Sequence, residues 1–321
     1  MKTLAKTKDM SREEWLEYRK KGIGGSDAPI IAGVNPWKSA VELYMEKTGE
    51  IEPQQAGEKA YWGQKLEALV AEEFQERTGK KVRKNNNILQ HLDHPFIIAN
   101  IDREIVGEKA GLEIKTTDGR NRPNWIDRDE VTIPDYVNIQ VHHYMLVTGY
   151  QYWYIAVLIG GNEFHYTHLE RDEELIELLV QMEKDFWARV ENQDPPPMDG
   201  SDGATELLKT MYPEGKPEKI PLPDTAAELA QRREELRQQE KELEKQRKEA
   251  ENQLKDLLGE NEAGIVKTDD TLYEIKWKNV NSSKFDQKKL KEDKPEIYEQ
   301  YITNSGYRRF EIKQKEVKTD D

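Results

Sequence analysis

An α/β sandwich built around a central sheet is the fold class this sequence predicts, and three observations carry it. Strand-like segments near residues 80–90, 95–105 and 110–117 follow one another closely. Helical patterns flank them, at about 58–77 before and 134–149 after. A further strand at 151–159 then returns, so strands and helices mix within one stretch of chain.

The elements read as follows. Residues 11–21 form a helix: Ser11 with Glu14 three positions on is a capping box, and Gly22 follows the last turn. The stretch Gly22-Ile23-Gly24-Gly25 leads to Ser26, read as the N-cap of a short helix through Ala32. Backbone N–H groups at such an end suit a phosphate, although a glycine-rich turn with an ordinary serine cap looks the same. Ser39 and Glu42 make a second capping box, opening a helix that Gly49 closes. The long helix at 58–77 carries Glu67 and stops at Gly79. After the three strands comes a polar, flexible-looking loop, 118–131, holding Arg120, Arg122, Trp125 and Arg128. Pro134 fits the first turn of the next helix, which ends at Gly149. Gly160-Gly161 joins strand 151–159 to strand 163–169 as a hairpin. A helix from about 172 to 190 closes a first domain of residues 1–200.

Beyond Pro195-Pro196-Pro197, residues 201–223 read as a linker with a second proline-rich stretch. A long charged helix spans 224–259, where Leu229, Leu236, Leu243, Ala250 and Leu257 recur every seven residues. The other seam position is polar (Arg233, Glu240, Arg247), so the stripe is half of a coiled-coil pattern. It lies against another helix or a partner, or it stands as a solvated arm. Residues 260–321 predict a small β-β-α-β unit: strands at 264–268 and 272–278, a helix near 285–301, and a last strand at 307–313. Lys276, Trp277, Lys278, Lys284, Lys288 and Lys289 there either touch DNA or belong to a solvated basic face.

The chain has 321 residues, a net charge of −14 and no cysteine. Disulfides, thiolate zinc sites and iron–sulfur clusters are excluded. With no long apolar stretch and no signal-peptide pattern, the expectation is a soluble cytoplasmic protein with no membrane role. The acidity argues against a general nucleic-acid coat, but leaves room for one locally basic groove.

Asp102, Glu113 and Lys115 are the residues with the most chemistry to offer. Asp102 ends the apolar run Phe96-Ile97-Ile98-Ala99-Asn100-Ile101, and Glu113 and Lys115 flank Ile114 in the next strand. Residues two apart on a strand share a face, so Glu113 and Lys115 project together beside Asp102. Two carboxylates and an ammonium suit a Mg²⁺ ion and a water, the equipment for hydrolysing a phosphodiester. In a chain that is 35% charged, Glu-x-Lys is common, and Glu-Ile-Lys occurs again at Glu274 and Glu311. Neither later copy follows an aspartate on an apolar strand, and a solvated strand face stays open as the alternative for the first.

Further blocks stand around this core. Upstream are Trp15 to Ala28 with Arg19, Gly22, Ser26 and Asp27, then Gly33-Val34-Asn35-Pro36-Trp37-Lys38, Leu43-Tyr44, and Trp62-Gly63-Gln64-Lys65-Leu66-Glu67. Downstream is Pro134-Asp135-Tyr136-Val137-Asn138-Ile139-Gln140, followed by Val141-His142-His143-Tyr144. In this order and spacing the set closely resembles the YqaJ-type viral recombinase nucleases, relatives of phage lambda exonuclease within the PD-(D/E)xK nucleases. The resemblance covers roughly residues 11–190. It implies a restriction-endonuclease-like core, a central mixed β-sheet flanked by helices. It implies that Asp102, Glu113 and the carbonyl of Ile114 bind Mg²⁺, with Mn²⁺ as a substitute. Lys115 then orients or deprotonates the attacking water, and which of the two stays open. Glu67 approaches the metals or their waters from the side, with a solvated helix position as its alternative. Gln140 contacts the water, Lys115 or a substrate oxygen, and Tyr136, one turn earlier, is read as packing. Arg19 and Ser26 match positions that hold the 5′-phosphate end of DNA.

The function implied is a Mg²⁺-dependent 5′→3′ double-strand DNA exonuclease, acting in a bacterial host or encoded by a prophage. It would engage duplex ends and leave 3′ single-stranded tails for a single-strand annealing protein. Lambda-type relatives form trimeric rings, which implies a homotrimer, and the extra C-terminal region departs from that minimal enzyme. A site- or structure-specific endonuclease with the same core is the alternative, and a non-catalytic DNA-binding scaffold is a third reading.

Overall fold

The structure is a computed structural model that describes residues 1–53, 57–303 and 306–312. The chain divides into two compact units, Met1–Met211 and Tyr212–Asp321. In the first, β1 (Lys2–Lys6), α1 (Arg12–Lys20), α2 (Ala28–Ile31), α3 (Ala40–Thr48) and α4 (Glu58–Thr78) precede the strands. Then come β2 (Val82–Lys84), β3 (Asn87–Gln90), β4 (Ile98–Ala99), β5 (Arg103–Ile105) and β6 (Ala110–Thr117). A 3₁₀ turn (Gly119–Asn124), β7 (Ile126–Asp127) and β8 (Glu130–Val131) lead to α5 (Asp135–Thr148). β9 (Tyr152–Ile159), β10 (Glu163–Glu170), α6 (Glu173–Asn192) and α7 (Asp202–Met211) complete the unit.

The main sheet has the order β10-β9-β6-β5-β2. All neighbours are antiparallel except β6 and β9, which run parallel with Glu113 opposite Ile155. A parallel pair needs a crossover, and α5 supplies it. The two faces of β6 have different fates because side chains alternate. Ala110, Leu112 and Ile114 pack with Val70, Ala71 and Phe74 of α4. On the other face of the sheet, Trp153, Ile155, Val157 and Ile159 of β9 pack with Val137, Val141 and Met145 of α5. Fully burying side chains of this size contributes roughly 1.5–3 kcal/mol each, so both helices are held firmly to the sheet. A Cβ at Gly111 would overlap the indole of Trp153, so glycine there lets the indole lie on the strand. The mixed, two-sided sheet is the predicted core.

Several elements differ from expectation. The strands read at 80–90 and 95–105 each divide between two sheets: β2 and β5 join the main sheet, while β3 lies between β1 and β4 in a three-stranded one. Asn85 makes the first break, accepting from the Asn87 N–H at 3.0 Å and donating to Glu104 at 2.9 Å. α1 has the full capping box, whereas at α3 only the Ser39 half is present. Pro134 caps α5 and does not enter its first turn. The loop at 118–131 is anchored, with Trp125 only 1% exposed, and Arg128 and Asp129 turn the β7–β8 hairpin at positive φ.

The linker read at 201–223 contains α7, which buries Ala204 and Leu207. A Cβ at Gly203 would sit 3.0 Å from the backbone nitrogen of Ser39, so α7 packs tightly at the start of α3. The first unit therefore extends to Met211, past the boundary expected at residue 200. A chain ending at Met211 should fold by itself, while one ending at Gly200 should be roughly 2–4 kcal/mol less stable through loss of this burial. Urea denaturation of the two checks it, and equal midpoints would show α7 to be dispensable.

The second unit holds α8 (Thr225–Leu258), the hairpin β11 (Ala263–Lys267) and β12 (Leu272–Lys276), α9 (Gln287–Asp293) and α10 (Pro295–Gln300). The helix read near 285–301 is split at Lys294, because Pro295 cannot continue the ladder of α9. The last strand of the expected β-β-α-β unit is absent among the described residues: 307–312 form none, and Lys313 lies outside them.

Candidate active site

β6 places Glu113 and Lys115 on its α5 face, two residues apart. Asp102 directly precedes β5, whose register pairs Arg103 with Leu112, so one step further sets Asp102 against Glu113. The Asp102 carboxylate accepts the N–H of Ile114 at 3.0 Å. Ile114 thus contributes its backbone to the site while its side chain packs toward α4. Glu113 is 2% exposed, and its Oε1 meets Lys115 Nζ at 2.6 Å.

Gln140 of α5 closes the set. Its amide N–H₂ donates to Glu113 Oε1 at 3.0 Å and to the Tyr144 hydroxyl at 2.7 Å, while its Oε1 accepts from Lys115 Nζ at 2.8 Å. Burial pushes the Asp102 carboxyl well above its ordinary range, and the nearby Glu113 charge pushes it further. Burial alone would lower Lys115, but the Glu113 carboxylate outweighs it and holds the ammonium protonated.

Glu67 reaches this cluster through another residue. Its carboxylate pairs with the Arg103 guanidinium, which also donates to the Asp102 carbonyl at 2.8 Å. The helix position is half-buried and paired, and is not a solvated face.

The residues read as a phosphate pocket also meet. Arg19 Nη1 donates to Ser26 Oγ at 2.9 Å. Ser26 is not the N-cap expected: Asp27 holds that place, without a side-chain cap bond, and α2 has only four residues. Asp27 instead faces the other way. It pairs with Arg19, takes Lys47 Nζ at 2.7 Å and accepts the Gly24 N–H at 2.9 Å. Burial alone would raise its carboxyl, yet Arg19 and Lys47 hold it far below the usual range. Lys47 also donates to the carbonyls of Arg19 and Gly22, at 2.6 and 2.7 Å, which ties the turn to α3. Arg19 lies over the Trp15 ring at 5.2 Å and lines a cavity of about 600 Å³ with Arg12, Lys20, Lys38 and Lys47.

Tyr144 joins the two clusters. A Cβ at Gly25 would overlap its ring, and its hydroxyl accepts from Gln140. Sequence reading missed Asp27, Lys47, Arg103 and Tyr144 as site residues. Nothing in the sequence marked Asp27 as such, because a Ser-Asp pair after glycines reads as a helix cap. His142 and His143 have structural roles: His142 accepts the Asp172 N–H at 3.3 Å, and His143 bridges Glu183 and the Ile98 carbonyl.

A divalent cation fits the donor set. Glu113 Oε2 is buried without a hydrogen-bond partner, while its Oε1 carries two donors. No group of three or more His, Cys, Asp or Glu side chains suited to a metal occurs among the described residues. Two carboxylates and one carbonyl would leave coordination positions for waters, as Mg²⁺ commonly keeps.

Residues 14–151 match the model of the YqaJ-like viral recombinase domain. The uncharacterized protein YqaJ of Bacillus subtilis (strain 168) is 44% identical over 316 residues, covering 97% of each chain. Among solved structures, the alkaline exonuclease from Laribacter hongkongensis is similar at 17% identity and a TM-score of 0.45, over 62% of this chain and 97% of that one. A phage related exonuclease from Haemophilus somnus 129PT follows at 12% identity and a TM-score of 0.41, over 60% and 96%. The match to the domain and the full-length identity to the Bacillus protein decide the matter: this chain belongs to the YqaJ-like viral recombinase family.

Proposed function

We propose that this protein is a Mg²⁺-dependent nuclease that digests double-stranded DNA from 5′ ends, leaving 3′ tails for an annealing protein. The observation that carries the proposal is the unpartnered Oε2 of Glu113, buried beside the Asp102 carboxylate. Membership in a viral recombinase family supports a DNA substrate and a role in recombination.

Asp102, Glu113 and the Ile114 carbonyl would hold the ion, with Mn²⁺ able to replace it. A bound Mg²⁺ supplies Lewis-acid polarisation of the phosphate and a more acidic water. The chain's own residues do the rest. Lys115, kept protonated by Glu113, orients the water and offsets charge gathering on the phosphate oxygens. Gln140 fixes Lys115 and Glu113 relative to each other, so neither needs to reorganise during reaction. Arg103 holds Glu67 near Asp102. Arg19, with Ser26, offers charged and neutral donors to a terminal 5′-phosphate, and Asp27 with Lys47 keeps that arginine in place.

Incubation with linear and covalently closed duplex, in Mg²⁺ and in EDTA, tests the proposal. Linear DNA should be degraded in Mg²⁺ while closed circles survive. Cutting of closed circles would make the protein an endonuclease, and inertness toward both would make it a binding protein.

A further inference from the structure

Trp37 is 65% exposed, an unusual place for the largest apolar side chain in a turn so firmly held. Asn35 Oδ1 accepts the N–H groups of both Trp37 and Lys38, at 2.9 and 3.0 Å. Behind them, a Cβ at Gly203 of α7 would lie 3.1 Å from Lys38 Cα and 3.2 Å from the Trp37 carbonyl, so the helix backs the turn directly. Lys38 Nζ is tied to Glu46 at 2.5 Å. The turn is braced from several sides, and what it presents to solvent is an indole.

The indole leads toward the catalytic cluster. Its ring meets Tyr136 edge to face, with centroids 5.1 Å apart at 77°. Tyr136 sits on α5 one helical turn before Gln140, the residue that binds Glu113 and Lys115. The Tyr136 hydroxyl also lies within electrostatic reach of the Lys115 ammonium. An exposed aromatic face is thus continuous with the site through one half-buried tyrosine.

On the reading of this protein as a nuclease, we infer that Trp37, supported by Tyr136, is a stacking shelf for an unpaired nucleobase next to the phosphate being cut. Three considerations select a base as the occupant. Glu113 is nearly inaccessible, so a phosphate reaches it on a single strand more readily than within an intact duplex. A strand whose phosphate lay over Asp102 and Glu113 would carry its neighbouring base toward Tyr136 and Trp37, because Tyr136 stands one helical turn from Gln140 and within electrostatic reach of Lys115. Stacking on an aromatic ring accepts any base, which suits an enzyme that must process every sequence. Trp37 is a binding residue in this assignment, and the Tyr136 ring keeps it edge-on.

The test uses the full-length protein and short 5′-phosphorylated oligonucleotides with 2-aminopurine near the 5′ end. In EDTA, where nothing is cut, the wild type should quench the fluorescent base. Trp37→Ala should bind about tenfold more weakly with the quench lost, and Trp37→Phe should keep most of both. In Mg²⁺, Trp37→Ala should digest normal duplex about tenfold more slowly, yet match the wild type when the terminal nucleotides are abasic. No quench by the wild type, an unchanged quench in Trp37→Ala, or an equal loss on the abasic substrate would each overturn the assignment. Trp37-dependent quenching without cleavage by the wild type would support the shelf and sink the nuclease reading.

Discussion

Asp102→Ala and Glu113→Ala should each slow digestion of linear duplex by about 10³-fold or more, because each removes an oxygen ligand from the shared ion. The fold should survive both. Burial and the Glu113 charge already push the Asp102 carboxyl upward, so the native cluster carries like-charge repulsion that Asp102→Ala relieves, whereas Glu113→Ala also takes the carboxylate from Lys115. Asp102→Ala also strips the Ile114 N–H of its acceptor, at a cost of about 1–3 kcal/mol. Asp102→Asn keeps an acceptor there, and should therefore be inactive with a melting temperature at or above that of the wild type. Circular dichroism and a timed digest read both effects. Wild-type-like digestion by Asp102→Ala in Mg²⁺ would refute its assignment.

The second large effect belongs to the end of the DNA. Duplex with a 5′-phosphate should be degraded roughly 10- to 100-fold faster than the same duplex with a 5′-hydroxyl, the worth of a hydrogen bond to a charged group. Arg19→Ala should erase most of that difference while leaving the slower rate on 5′-hydroxyl ends. Asp27 keeps Lys47 and the Gly24 N–H in this variant, so the turn retains partners for its buried carboxylate. If Arg19→Ala retains the full preference, the terminal phosphate is held elsewhere.

What sequence could and could not reveal follows from range. Glu113 and Lys115 were legible because strand alternation alone puts them on one face, and the apolar Leu112 and Ile114 say which face is core. The helix stops at Gly49, Gly79 and Gly149 were legible because only glycine enters the left-handed region freely, and all three have positive φ there. Asp27 was hidden: a Ser-Asp pair after glycines reads as a cap, and its true partner Lys47 stands a helix away. Tyr144 looked like ordinary core until the approach of Gly25 to its ring gave it a neighbour from another element. β1 escaped notice because Lys2-Thr3-Leu4-Ala5-Lys6 is an exposed edge with almost nothing buried. α7 escaped because prolines on both sides gave it the look of a linker, and its burial comes from α3.

The central claim is that Glu113 and Asp102 form the metal site, and metal binding tests it more directly than any rate. Mn²⁺ titrated into the full chain with a 5′-phosphorylated duplex, followed by electron paramagnetic resonance, should show saturable binding. Glu113→Gln is the informative comparison, since it keeps the size of the side chain but removes the charge of the unpartnered oxygen. Binding lost or weakened at least about tenfold in that variant is the expected result. Equal binding by the two proteins, or none by the wild type, would contradict it.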